Sequence, residues 1–204
     1  MMKRIILASV AALGLALAAC GQQQQAPTSG EESSSVTAPT INTNIGPDGA
    51  AGISTALSMD LMSVRAAAPL YDVALVEDQI EGQTFTAITL STGGQEVFRL
   101  LPNADGRHVH AIVTNSVRAK GPTQESVSSA RFAVAPPEQV EFCLSEFVDG
   151  AAGFACSTAE DGNFWRVYKV PEGYDGPSDP FDAIDPDVLH DSVLVEMRWI
   201  APRI

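Results

Sequence analysis

Apolar and polar residues alternate with a period of two through most of the chain beyond residue 70. The pattern predicts strands near 71–80, 83–91, 95–101 and 107–115, then near 139–148, 153–159, 163–170 and 192–200. Short turn signals separate the runs: Glu81-Gly82, Gly93-Gly94, Asp105-Gly106, Asp149-Gly150 and Asp161-Gly162. Before residue 70 the period changes. Ile53, Leu57, Leu61, Val64 and Ala68 fall on one face of a predicted helix, which Ser54 or Thr55 can cap and Pro69 stops. A weaker helical pattern covers Thr123 to Val134, with Val127, Ala130 and Val134 on its apolar side.

The turns recur. Glu81-Gly82 and Asp149-Gly150 share one offset with Gly93-Gly94 and Asp161-Gly162, and Val97 to Leu100 corresponds to Trp165 to Tyr168. Ile41 to Asn44 followed by Gly46-Pro47 resembles Ile112 to Asn115 followed by Gly121-Pro122. The expected fold is therefore α+β, a tandem duplication of a helix plus a four-stranded antiparallel meander. The first unit spans 41–116 and the second 117–204, with an acidic Pro/Gly-rich insertion at 171–191 before the last strand.

The N-terminus follows a different pattern. Lys3 and Arg4 precede an unbroken apolar and small-residue stretch, Ile5 to Ala19, that is too short for a comfortable membrane span. It ends in Leu17-Ala18-Ala19-Cys20 followed by Gly21, which resembles the bacterial lipobox. The expectation is a signal peptide at 1–19 and acylation of Cys20, with 20–40 as a flexible tether of Gln, Ser, Thr, Pro and Glu. About twenty such residues reach ~25 Å. Gly21, where an inner-membrane retention signal would place Asp, favours the outer membrane.

Composition narrows the functions. The 204 residues are 45% hydrophobic and 18% charged, a folding composition, and the net charge is −13. Loss of Lys3 and Arg4 leaves 10 basic residues against 25 acids, near −15. So acidic a chain has no basic stripe for nucleic acid. It is also repelled by anionic lipid, so the acyl chains must hold it at the membrane, each buried CH₂ contributing ~0.8 kcal/mol.

Two cysteines remain for an oxidising compartment. If Asp149 and Gly150 form the centre of a hairpin turn, Cys143 faces Cys156 across the strand pair. A cross-strand disulfide there is sterically reasonable and adds up to ~3 kcal/mol. No C-x-x-C spacing is present, which favours a structural staple over a redox pair.

Candidate chemistry is sparse. The insertion holds Asp175, Asp179, Asp182, Asp185 and Asp187, hard oxygen ligands that could take Ca²⁺, but their spacing fits no EF-hand and Asp beside Pro or Gly is ordinary turn chemistry. His108 and His110 share one face of a strand and with His190 could make a zinc site. No G-x-S-x-G elbow and no Walker lysine is present. No catalytic residue and no obligatory cofactor is assigned. Trp165, Tyr168, Tyr174 and Trp199 are the candidate binding surface, with core packing as the alternative.

These features together resemble the RpoE-regulated lipoproteins of bacteria, a family whose domain has no known function. The resemblance spans about Ile45 to Arg203. It rests on the Gly46/Gly49/Gly52-Ile53 opening, the Cys143…Cys156 pair, the aromatic strand Trp165 to Tyr168, the Gly176-Pro177 loop and the closing Arg198-Trp199 strand. It implies a periplasm-facing lipoprotein of envelope maintenance, bound to the membrane through Cys20 and to an unidentified envelope macromolecule, and non-enzymatic. The alternatives are a metal-dependent (Ca or Zn) periplasmic enzyme and an inhibitor-like protein-binding domain, the latter by fold analogy with β-lactamase inhibitor proteins.

Overall fold

The computed structural model describes residues 39–80, 82–135, 140–148, 150–176 and 184–202. Eight of its strands are long. The first four are β3 (Asp72–Ile80), β4 (Gln83–Thr92), β5 (Gln95–Pro102) and β6 (Val109–Thr114). The second four are β7 (Phe142–Val148), β8 (Ala151–Ser157), β9 (Phe164–Lys169) and β10 (Val193–Ile200). A two-stranded ribbon, β1 (Ile45–Gly46) with β2 (Gly49–Ala50), precedes them. Among the described residues the helices are α1 (Leu61–Ala67) and α2 (Pro186–Asp191), with a 3₁₀ turn at Phe132–Val134.

The expected pair of helix-plus-four-strand units is corrected by this arrangement. The eight strands form one antiparallel sheet in the order β3-β4-β5-β6-β10-β9-β8-β7. Each meander ends in a strand that would be an edge if it stood alone, and the pairing of β6 with β10 removes both edges. The result is a mostly β protein.

The helical pattern misleads for a local reason. From Ile53 to Met59 the chain is non-helical and bonded to other segments. Ile53 pairs with Ala50, Ser58 pairs with His108, and the Met59 N–H donates to the Arg107 carbonyl. Ser54, Thr55 and Ser58 are weak helix formers, so these long-range backbone bonds prevail. The helix begins only after Asp60, whose carboxylate accepts from the Met62 and Ser63 N–H groups. The second expected helix is absent. Gln124 and Ser128 have φ of 65° and 66°, which no α-helix tolerates. The segment pairs instead with the start of β10, through Ser128 and Ala130 on Leu194 and Phe132 on Ser192.

One face of the sheet is covered. Ile88, Leu100, Ile112 and Trp199 are successive cross-strand partners and form one fully buried row, continued by Phe164. Ile45, Ile53, Val64, Ala68, Val127, Phe132 and Leu189 pack into the core over that face, with β1 against β10 and α1 against β3. Phe132 packs edge-on against both Phe154 and Tyr168, which stack on each other. Cys143 pairs with Cys156 in the β7–β8 register and bonds to it, with Cα atoms 4.1 Å apart.

A charged concave face as the candidate functional site

The uncovered face is curled. Arg198 on β10 donates from Nη2 to Glu146 Oε1 on β7 at 2.9 Å, three strands away. Glu146 lies in the row of Gly153, Lys169 and Val193, so in a flat sheet it would stand about 14 Å from Arg198 across the strands and roughly 13 Å along them, beyond the reach of the two side chains; the sheet must bend towards this side. The bend brings both edge strands to one cavity of about 530 Å³. Asp78 and Ile80 of β3 line it from one side and Glu146 of β7 from the other, over a floor that includes Val113 and Ile200.

Two rows of cross-strand partners make the floor. One is apolar, Leu101–Ala111–Ile200. The other is Arg99–Val113–Arg198–Trp165. Each arginine is clamped by two carboxylates. Arg99 donates to Glu96 from Nε and Nη2 at 2.8 and 2.9 Å, and to Asp78 from Nη1 at 2.6 Å. Arg198 donates to Glu196 from Nε at 2.8 Å, besides its bond to Glu146.

Strict alternation would put Glu96 and Arg99 on opposite faces of β5. The register shifts between Leu90 and Ser91 on β4, so that Val97 is an extra residue on β5. That bulge carries Glu96 onto the concave side. A second shift, between Leu194 and Glu196 on β10, marks the other cluster.

The paired charges stabilise one another. Burial pushes the Asp78 carboxyl up, but the hydrogen bond and charge of Arg99 outweigh it and leave the group below the usual range. The hydrogen bond from Arg99 to Glu96 leads the effects that raise the guanidinium well above its ordinary value. Burial lowers the Arg198 guanidinium, and Glu196 and Glu146 more than reverse this. The six side chains stay partly open to solvent, at 25–34% in the Arg99 cluster and 28–29% in the Arg198 cluster.

A third arginine sits on the covered face. Arg166 is 2% exposed and donates from Nε and Nη2 to Glu125 Oε1, with its guanidinium over the Phe164 ring. Burial pushes Glu125 up, and hydrogen bonds from Thr123 with the charge of Arg166 bring it below the usual range.

The residues singled out from sequence are dispersed. Cys20 and its flanking signal and tether lie outside the described residues, as do Asp179 and Asp182. Asp185 caps α2, accepting from the Asp187 N–H, and Asp175 is exposed. His108 and His110 line one shallow cavity with Asn103 and Asp105, whereas His190 is on α2. Among the described residues no three His, Cys, Asp or Glu side chains gather closely enough for a metal ion. Of the aromatic candidates, Tyr168 and Trp199 are core residues, and burial pushes the Tyr168 hydroxyl up to about 12. Tyr174 packs partly buried against the same core. Trp165 alone stands beside Arg198 in the cross-strand rows, its indole N–H donating to the Gly162 carbonyl and its ring edge-on to Phe142.

No protein family matches the chain, and no curated protein matches it in sequence. The fold is similar to that of an uncharacterized protein, YfeY from Escherichia coli, in its crystal structure. The TM-score is 0.54 at 16% identity, over 78% of this chain and 99% of that one. The likeness is one of fold with a bacterial protein of unknown function. Among the described residues no helix is long and apolar enough to cross a membrane.

Proposed function

We propose that this chain is a lipid-anchored protein of the bacterial envelope, held through acylated Cys20 at the outer membrane, whose folded part works in the periplasm by binding a macromolecule. The single observation behind the binding role is the concave face. It offers a cavity of about 530 Å³ lined by both sheet edges, and it presents charged groups already fixed by their partners. Fixed polar groups lose little further freedom when a ligand arrives. The cross-strand disulfide suits an oxidising compartment, and the Leu17-Ala18-Ala19-Cys20 sequence suits acylation.

Two measurements test the two halves of this reading. Mass spectrometry of the protein taken from bacterial membranes should find a diacylglyceryl group on an N-terminal Cys20; an unmodified cysteine overturns the anchor. A photo-crosslinker at Val113, in the concave floor, should trap a partner in intact cells, while one at the exposed Met62 on α1 should not. Equal labelling from both positions, or none from Val113, overturns the binding site.

A further inference from the structure

We propose that β7 accepts an extended segment of another protein as a ninth strand, and that this segment alternates basic with apolar side chains. The proposal rests on the reading of the concave face as the binding surface and adds the chemistry of the partner.

The two edges of the sheet are built differently. β3 carries Asp72, Glu77 and Asp78, and such charge discourages the addition of another strand. β7 reads Phe-Cys-Leu-Ser-Glu-Phe-Val from Phe142 to Val148, with Glu146 its only charge and neither Lys nor Pro. Leu144 is 52% exposed and Phe147 82%. An apolar edge with a single charge is a template for backbone pairing. The Cys143–Cys156 bond holds this strand against β8, so its outer N–H and C=O groups are ordered before any partner arrives.

Alternation then selects the partner's side chains. Leu144, Glu146 and Val148 point to the concave side of β7, and Cys143, Ser145 and Phe147 to the other. A ninth strand lays one set of side chains beside Phe147, where apolar groups gain contact area. Its other set lies at the cavity mouth next to Glu146, across from Asp78. Among the described residues that line the cavity, Asp78, Glu96 and Glu146 already outnumber the two arginines. The excess is negative, in a chain whose net charge is −13, so basic side chains fit there. A second copy of this chain fits poorly, since its own β7 brings no basic residue and the whole molecule repels its like.

The test uses the full chain in neutral-detergent micelles and three labelled nonapeptides read by fluorescence anisotropy. One alternates Lys and Val, one alternates Glu and Val, and one is the Lys-Val peptide with alternate backbone amides methylated. The first should bind, at least tenfold more tightly than the other two. Glu146→Gln and Phe147→Ser should each weaken it several-fold, with the disulfide still formed as the check on folding. Equal binding of the methylated peptide overturns strand pairing and leaves only charge attraction; equal binding of the Glu peptide overturns the basic partner; unchanged binding by both variants overturns β7 as the place. Elution as a dimer with no peptide binding means that a second copy occupies the edge, which also overturns the proposal. If no peptide binds while Val113 still captures a partner in cells, the partner chemistry fails and the concave-face reading stands; if Val113 captures nothing either, both fail.

Discussion

Arg166 and Arg198 are both tied to glutamates, yet they stand in opposite situations. Arg166 lies under the cover of the sheet with Glu125, at 2% and 10% exposure, and Arg198 lies in the open concave face with Glu146 and Glu196, each near 29%. The first pair has given up its water and depends on its partner to remain charged in the core. The second keeps part of its hydration, so it contributes little to folding and stays available to a ligand. Identical chemistry therefore serves architecture on one side of the sheet and recognition on the other.

Removing one member of each pair sharpens that contrast. Glu125→Ala takes the bonded carboxylate away from a buried guanidinium and should cost about 3 kcal/mol, read as a large fall in Tm. A loss below about 1 kcal/mol would mean that the covered pair is no more structural than the open one. The disulfide comes next. Cys143→Ser with Cys156→Ser removes a bridge of 13-residue separation and should cost about 2–3 kcal/mol, less if the unfolded hairpin keeps structure.

Acid should act on both sides in one direction. Asp78 and Glu125 are held below the usual carboxylate range in the folded state, so their contribution is fully present above the ordinary values and is lost as pH falls through the lowered ones. Denaturant midpoints should therefore drop below about pH 4 in the native chain, and Glu125→Gln should flatten that drop more than Asp78→Asn does. Equal flattening would erase the distinction. The smallest effect is expected at Arg198→Ala, within about 1 kcal/mol by urea titration, while crosslinking from Val113 falls.

The strands were legible because half-buried antiparallel strands write a period of two, and because a glycine-containing turn marks each hairpin. Gly93 and Gly94, both at positive φ between Thr92 and Gln95, are such a turn. The same arithmetic placed Cys143 opposite Cys156. Nothing local announced that β6 would find β10, since that pairing joins residues more than eighty positions apart and depends on two edges that neither meander can satisfy alone. The helix expected over residues 53–68 had the right spacing in Ile53, Leu57 and Leu61, but backbone partners on the β5–β6 side captured its first half.

The concave site was less legible than the fold. Glu96 and Arg99 share a face only because Val97 is bulged, and a strict alternation rule separates them. Glu146 and Arg198 meet through the curl of the whole sheet, which no short stretch of sequence encodes. Among the aromatic candidates, Trp199 and Tyr168 belong to the buried rows, and their residue type alone could not say which side they faced.

The placement of the single covalent crosslink makes the two ends of the sheet mechanically unequal. It sits in the outermost hairpin, β7–β8, and the opposite hairpin, β3–β4, has no counterpart among the described residues. A molecule stretched between its ends should therefore withhold the 12 residues between the bridged cysteines until a reductant is added, whatever the order in which the strands detach. Single-molecule force traces of the same final length with and without reductant would contradict this.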